Sequence, residues 1–267
     1  MPRPVLTFTS DFGAGSGYPA QMKGEVLRRL PDATLVDVSH EVPPFDVLAG
    51  ALLLEACVPR FPAAAVHVAV VDPGVGTARR PVCVVDGAGR RLVGPDNGLF
   101  TPFLDERARC FLLSDPAVLP PDPSPTFHGR DLFAPAAAWI AAGNDPARLG
   151  PAVLDPVRLD WPRAEAMEGS LAGTCLAADP FGNLVTSIRV DDAAGRALVA
   201  VEVAGRPARP VTTFGEGVPG ELVAYWGSAG RLEIAVREGS AARHLGAGRG
   251  APVRVVLSRA REPSPTR

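Results

Sequence analysis

Over the first half of the chain, short apolar runs alternate with amphipathic stretches; over the second half the apolar runs follow one another directly. Val5-Leu6-Thr7-Phe8-Thr9, Thr34-Leu35-Val36-Asp37-Val38, Ala65-Val66-His67-Val68-Ala69-Val70 and Pro81-Val82-Cys83-Val84-Val85 are short, rich in β-branched residues and bounded by Gly, Pro, Asp or Ser, which is the pattern of buried strands. Between them, residues 18–30 place Met22, Val26, Leu27 and Leu30 on one side of a helix, and 47–57 reads as an apolar helix with Asp46 as its N-cap. A third helix is expected from Thr126 to Gly143, with Asp131 as its cap. Strands alternating with helices predict a layered, Rossmann-like α/β domain built on a parallel sheet. Residues 145–168 carry Pro146, Pro151, Pro156 and Pro162 and read as an interdomain linker. Beyond it, apolar runs within 171–178, 184–190, 197–203, 221–226, 231–236 and 253–257 are separated by turn signals, with no helix of any length expected among them. That spacing predicts an all-β domain, sandwich or barrel. The expected organisation is therefore an N-terminal α/β domain over 1–150, a linker over 151–169, a C-terminal all-β domain over 170–260 and a disordered tail over 261–267.

Composition narrows the partners. The 267 residues carry a formal charge of −2, which argues against a nucleic-acid or anionic-membrane surface. No apolar run is long enough to span a bilayer, and Met1-Pro2-Arg3-Pro4 leads directly into a strand without the pattern of a signal peptide. Cys57, Cys83, Cys110 and Cys175 lack CxxC spacing and sit among apolar residues, as buried free thiols of a cytoplasmic protein would. Neither they nor the four histidines show metal-ligand spacing, so no metal is expected.

The candidate chemistry lies at the ends of the predicted strands. Val71-Asp72-Pro73-Gly74-Val75-Gly76-Thr77-Ala78-Arg79-Arg80 delivers a carboxylate, turns through Pro-Gly-x-Gly and brings up two arginines before the next strand. Ligands of open α/β sheets bind outside the carboxyl ends of the strands, so an acid and an arginine held there are site candidates; a turn closed by a surface ion pair accounts for the same residues. Ser10-Asp11-Phe12-Gly13-Ala14-Gly15-Ser16-Gly17, between strand and helix, has the layout of a phosphate cradle. Its spacing fails the dinucleotide fingerprint and no Walker lysine follows, which leaves glycines that make room for a ligand or a tight turn. Asp11 suits ribose hydroxyls, or caps the following helix. His40 is either catalytic or a loop histidine tied to backbone, and Phe45 either an aromatic wall for a planar ligand or a packing residue. Gly94-Pro95-Asp96-Asn97-Gly98 is strong turn chemistry. His128 precedes the third helix, whose dipole disfavours the cationic ring and leaves a neutral proton acceptor; a hydrogen-bonded structural histidine is the other reading. Asp179-Pro180-Phe181-Gly182-Asn183 is a tight turn, or a reader of an amino group and a purine edge.

Together with Val36-Asp37-Val38-Ser39-His40 and Phe127-His128-Gly129-Arg130-Asp131, these motifs stand in the order found in the S-adenosyl-L-methionine (SAM) hydroxide adenosyltransferases, or SAM hydrolases, which the chain resembles over nearly its whole length. Relatives of that family fluorinate or chlorinate the same carbon of SAM. The resemblance implies an N-terminal α/β and a C-terminal β-barrel-like domain, a homotrimer with SAM bound between subunits, and cleavage of SAM by water into adenosine and L-methionine, with SAM as substrate and no cofactor. It implies that Asp72, Arg79 and His128 activate the water, that Asp11 binds ribose, that Asp179 holds the methionine amino group and that Asn183 reads the adenine edge. Phe45 and Phe214 fall where relatives place aromatic surfaces, core packing being the other role open to Phe214. At the positions of Asp72, His128 and Gly129 the halogenating relatives have a tyrosine and a hydroxyl-lined halide pocket. A carboxylate there repels an anion, so water is the expected nucleophile. The chain departs from the family's usual pattern at Arg237-Glu238, where an Asn-Gly pair is common, and at Tyr225-Trp226-Gly227, where a small polar turn is usual. The alternatives are a SAM- or adenosine-binding sensor with little turnover and a halide-using 5′-halo-adenosine synthase.

Overall fold

The computed structural model describes residues 3–259, so the tail expected over 261–267 lies outside the described residues. The chain divides into two compact units, one ending at Trp161 and the other beginning at Pro162.

In the first unit, β1 (Val5–Ser10), β2 (Thr34–Ser39), β3 (Val66–Val70), β4 (Pro81–Val85), β5 (Arg91–Pro95) and β6 (Arg109–Leu112) form one sheet in the order β2-β1-β3-β5-β4-β6. β2, β1, β3 and β5 are parallel; β4 runs antiparallel to β5 and β6. β3 shows why the apolar runs are unbroken. Val66, Val68 and Val70 pack with Met22 and Val26 of α1 (Tyr18–Arg29) and with Ala136 and Ile140 of α3 (Ala134–Ala141). Ala69 and Val71 pack instead with Ala51 and Leu54 of α2 (Val47–Cys57). Successive side chains point to opposite faces, and both faces are covered by helices, so both parities are apolar. Asp46 caps α2 as expected, its Oδ1 accepting from the Ala49 N–H at 3.0 Å.

β1 has β2 on one side and β3 on the other, so the strand order reverses at β1, and the crevice lies at the carboxyl ends of β1 and β3. Asp11 and Asp72 follow those two ends. β4 starts at the same edge, with Pro81 opposite Pro95, so Arg79 and Arg80 reach it too. The third helix differs from expectation at its start. Residues Gly129–Phe133 form a π-helical turn before α3, and Pro135 has no N–H to donate back into that turn. Asp131 is not its cap: it pairs with Arg130 and accepts the Ser124 N–H at 2.9 Å. The segment after α3 is tied to the sheet, with Leu112 N–H donating to the Pro151 carbonyl at 2.9 Å and Val153 N–H to that of Cys110 at 2.8 Å.

The second unit is a closed barrel of seven strands. β8 (Ser170–Ala178), β9 (Leu184–Arg189), β10 (Leu198–Val203), β11 (Arg206–Pro210), β12 (Leu222–Trp226), β13 (Arg231–Val236) and β14 (Pro252–Leu257) run β14-β10-β11-β12-β13-β9-β8 and close by pairing β14 with β8, while β7 (Glu165–Met167) adds to β8. Its interior holds Leu171, Cys175, Ile188, Val201, Leu232 and Val255. β11 contains Pro207 and Pro210, which the strand pattern excludes, yet it pairs with both β10 and β12. A short helix, α4 (Ala241–Leu245), interrupts the strands where none was expected; Ser240 caps it, accepting the Arg243 N–H at 3.2 Å.

The first unit also buries His67, 1% exposed in β3, with Nδ1 at 2.8 Å from Thr7 Oγ1. Burial, and next the Arg90 charge, push its pKa down to about 4. The unfolded chain then binds the extra proton between about pH 6.5 and 4, so the fold loses stability as pH falls through that window, by about 3 kcal/mol in all. Urea unfolding of His67→Gln at pH 7 and pH 4 should show a pH-dependent loss smaller than that of the wild type by about this amount.

Candidate active site

Asp72 leaves the end of β3, and the turn that follows folds Arg79 back onto it. Thr77 N–H and Oγ1 both donate to the Gly74 carbonyl, at 3.2 and 2.7 Å, and Gly76 takes a left-handed φ of +76°. Arg79 then meets Asp72 in a bidentate pair: Nε donates to Oδ1 at 3.1 Å and Nη2 to Oδ2. The side chains are 6% and 4% exposed. Arg79 Nη2 also lies 2.9 Å from His128 Nδ1. Arginine only donates, so Nδ1 accepts and the neutral ring carries its proton on Nε2. Burial first, then the Arg79 charge, lower the His128 pKa from its ordinary value, while Asp72 and Asp131 oppose this. The neutral ring expected from the sequence is therefore held by burial and Arg79. Phe133 lies under the Arg79 guanidinium at 5.5 Å, and Arg79 Nη1 is buried without a hydrogen-bond partner among the described residues. Gly129 is buried, and a Cβ there would meet Met22 Sδ at 3.1 Å and Phe127 Cε2 at 3.3 Å.

The other residues of this unit arrange around Asp11. Its Oδ2 accepts the Phe45 N–H at 2.9 Å. Phe45 is held at φ +66°, a conformation an aromatic residue rarely adopts, and is 70% exposed. Asn97 was read only as a turn residue; its Nδ2 donates to the Val71 carbonyl at 2.8 Å and so fixes the residue before Asp72. Asp96 binds Arg80 at 2.7 Å and the Val157 N–H at 2.7 Å, a structural clamp. Asn97 lies in a motif visible in the sequence and Phe133 two residues beyond one, but their partners are set by the fold.

In the barrel, Asp179 and Asn183 come together. Asp179 Oδ1 accepts the N–H groups of Phe181 and Asn183, at 2.9 and 2.8 Å, and Oδ2 accepts from Asn183 Nδ2 at 2.9 Å. The turn rests on α4, with Ala242 N–H donating to the Gly182 carbonyl at 3.0 Å. Glu233, opposite Tyr225 on β13, is pushed up by burial and further by the Asp179 charge, against a hydrogen bond from Tyr225. Phe214 opens a 3-10 turn, Phe214–Glu216, and is 56% exposed. Arg237 Nη1 braces that segment through the carbonyls of Gly215 and Gly217, at 3.2 and 2.7 Å, and Glu238 follows at φ +59°.

A doubly wound domain with an Asp-Arg-His cluster at its switch point, followed by a closed barrel, defines the class: a two-domain α/β-plus-barrel protein. The sequence model of the SAM hydroxide adenosyltransferase N-terminal domain matches residues 6–150, and that of the C-terminal domain residues 173–254. The chain belongs to this family. It is 45% identical to an (R)-S-adenosyl-L-methionine hydrolase of Thermus thermophilus, over 95% of this chain and all of that protein. A fluorinase of an Actinoplanes species is 32% identical over 71% of this chain and 73% of its own. The crystal structure of an uncharacterized conserved protein from Thermotoga maritima superposes with a TM-score of 0.87 at 31% identity, covering 94% of this chain and 99% of that one.

Since the Arg79 charge helps to depress the His128 pKa, Arg79→Met should raise it toward the ordinary value near 6.5. A pH titration of the His128 ring protons by NMR measures both; an unchanged midpoint would leave burial as the whole cause.

Proposed function

We propose that this protein hydrolyses SAM to adenosine and L-methionine, by in-line attack of water on the ribose 5′ carbon. The observation that carries this reading is the bidentate Asp72–Arg79 pair in contact with His128 at the switch point of the sheet. A sulfonium is already a good leaving group, so no acid has to expel methionine. The site has to place one water in line with the C–S bond and take up its proton. Asp72, as a carboxylate, accepts that proton; the neutral His128 and Arg79 orient the water and stabilise hydroxide character as the O–C bond forms and the C–S electron pair passes to sulfur. Charge is dispersed along this path, so a pocket shielded from water favours it.

The remaining assignments follow the same reading. Asp11 takes the ribose hydroxyls and Phe45 an aromatic wall of the nucleoside. Gly129 lets the chain beside His128 pack closely on Met22 and Phe127, which places the ring against the substrate. Asp179 takes the methionine ammonium, Asn183 the adenine edge and Phe214 an adenine face. No cofactor or metal is required. We further propose a cytoplasmic homotrimer with SAM between subunits; among the described residues no helix is long and apolar enough to cross a membrane. Hydrolysis is favoured over halogenation because Asp72 can take up the proton of an attacking water, whereas a halide has no proton to give and would approach a carboxylate.

Incubation with SAM in oxygen-18 water should give adenosine labelled at its 5′ oxygen and an equal amount of methionine; a 5′-halo-adenosine formed in chloride or fluoride would overturn the choice of nucleophile. Asp72→Ala should lower kcat by about 10²–10⁴-fold while SAM still binds. Because the His128 pKa is lowered, kcat should fall on acidification only below the ordinary histidine range, as the ring becomes protonated and can no longer accept from Arg79. A midpoint above 6.5 in the pH–kcat profile would contradict this.

A further inference from the structure

The motif ending in His40 plays no part in the chemistry above, yet it builds a chain of four linked side chains in the first unit. β1 and β2 pair in parallel with Phe8 opposite Asp37, and the register shifts between Phe8 and Thr9, so Thr9 faces Ser39. Ser10 Oγ lies 2.8 Å from His40 Nδ1, and His40 Nε2 lies 3.0 Å from Asp37 Oδ1. Lys23, the only lysine in the sequence, donates from Nζ to Asp37 Oδ2 at 2.8 Å. A carboxylate only accepts, so His40 Nε2 donates to Asp37, which leaves Nδ1 for Ser10 Oγ. Burial alone would raise the Asp37 pKa, but the hydrogen bonds and charges of Lys23 and His40 outweigh it and hold the group as a carboxylate.

Serine, histidine and aspartate in this order resemble a nucleophilic triad. Ser10 is fully buried, however, and no substrate reaches its hydroxyl. The chain acts in the other direction, on the turn that carries Asp11. Ser10 Oγ accepts the Phe12 N–H at 3.3 Å. The Ser10 carbonyl accepts the Val42 N–H at 3.3 Å, and the His40 carbonyl accepts the Gly13 N–H at 2.7 Å. Asp11 thus sits between two residues whose main chain is fixed, and its own Oδ2 holds Phe45 in the left-handed region. Oδ1 accepts no hydrogen bond among the described residues and is the oxygen open to a ligand.

We infer that Lys23, Asp37, His40 and Ser10 are positioning residues for Asp11, which fix its turn so that one carboxylate oxygen holds Phe45 and the other is available to the vicinal hydroxyls of a ribose. This rests on the reading of Asp11 as the ribose carboxylate. Recognition of the diol then depends on a salt bridge that joins α1 to β2 and touches no ligand.

The test compares calorimetric affinities for adenosine and 2′,3′-dideoxyadenosine. The wild type should prefer adenosine. Asp37→Asn sets an amide N–H₂ against Lys23 or His40; it should weaken adenosine about tenfold and dideoxyadenosine less than twofold, shrinking the preference. The double variant Lys23→Gln/Asp37→Asn should restore it, since the new glutamine carbonyl accepts from the asparagine amide while the asparagine carbonyl still accepts from His40. A wild type without preference would remove the ribose role of Asp11, and this inference with it. A wild type that discriminates, beside an Asp37→Asn variant with the same preference, would leave the ribose role standing and overturn the positioning. Equal weakening of both ligands, with a lower Tm and no rescue, would assign the network to stability alone and overturn it too.

Discussion

The first unit's site depends on one buried ion pair. Asp72 and Arg79 are almost wholly removed from water, and each would be costly to bury alone, by several kcal/mol. Two parallel hydrogen bonds and the face of Phe133 compensate both charges. The turn between them is shaped for this. A side chain at Gly76 would meet the Pro125 carbonyl at 2.5 Å, so the loop is pressed against the chain leading to His128, and His128 closes onto the same guanidinium. The pair fixes Asp72 directly and His128 through Arg79, so the geometry of all three rests on one arginine. Lysine has no fork with which to make these contacts together.

What was legible in the sequence was whatever a local pattern encodes. The unbroken run before Asp72 revealed a strand covered on both faces, and Asp46 revealed the start of α2. Asp179 and Asn183 were legible as an Asx turn, and their side chains do pair within it. The rest needs distance in sequence. Ser10 and His40 meet only because β1 and β2 are neighbours in one register, and Asn97 reaches Val71 only because of where β3 and β5 end. β11 was hidden by its own prolines, which forbid ladder donors only at their two positions and leave Arg206, Ala208 and Arg209 able to pair. The π-turn before α3 is invisible to a 3.6-residue period and follows from Pro135. Phe45 is the hardest case: nothing local predicts an aromatic residue at positive φ, and it is held there by a carboxylate 34 residues away.

The two departures from the family's usual pattern also have physical consequences. At Arg237-Glu238 the backbone turns left-handed at Glu238, where glycine is at ease and glutamate is strained. What the chain gains is Arg237, whose guanidinium ties down the carbonyls on either side of Glu216 and so steadies the segment bearing Phe214. An exposed phenylalanine on a short 3-10 turn has little packing of its own to define it, and any planar ligand it met would have to order it at an entropic cost. At Tyr225, a phenol beside a half-buried Glu233 adds a donor to an acidic neighbourhood that already includes Asp179. Burial and the Asp179 charge raise the Glu233 pKa, and the hydrogen bond from Tyr225 opposes them, so the phenol helps to keep a half-buried carboxylate charged.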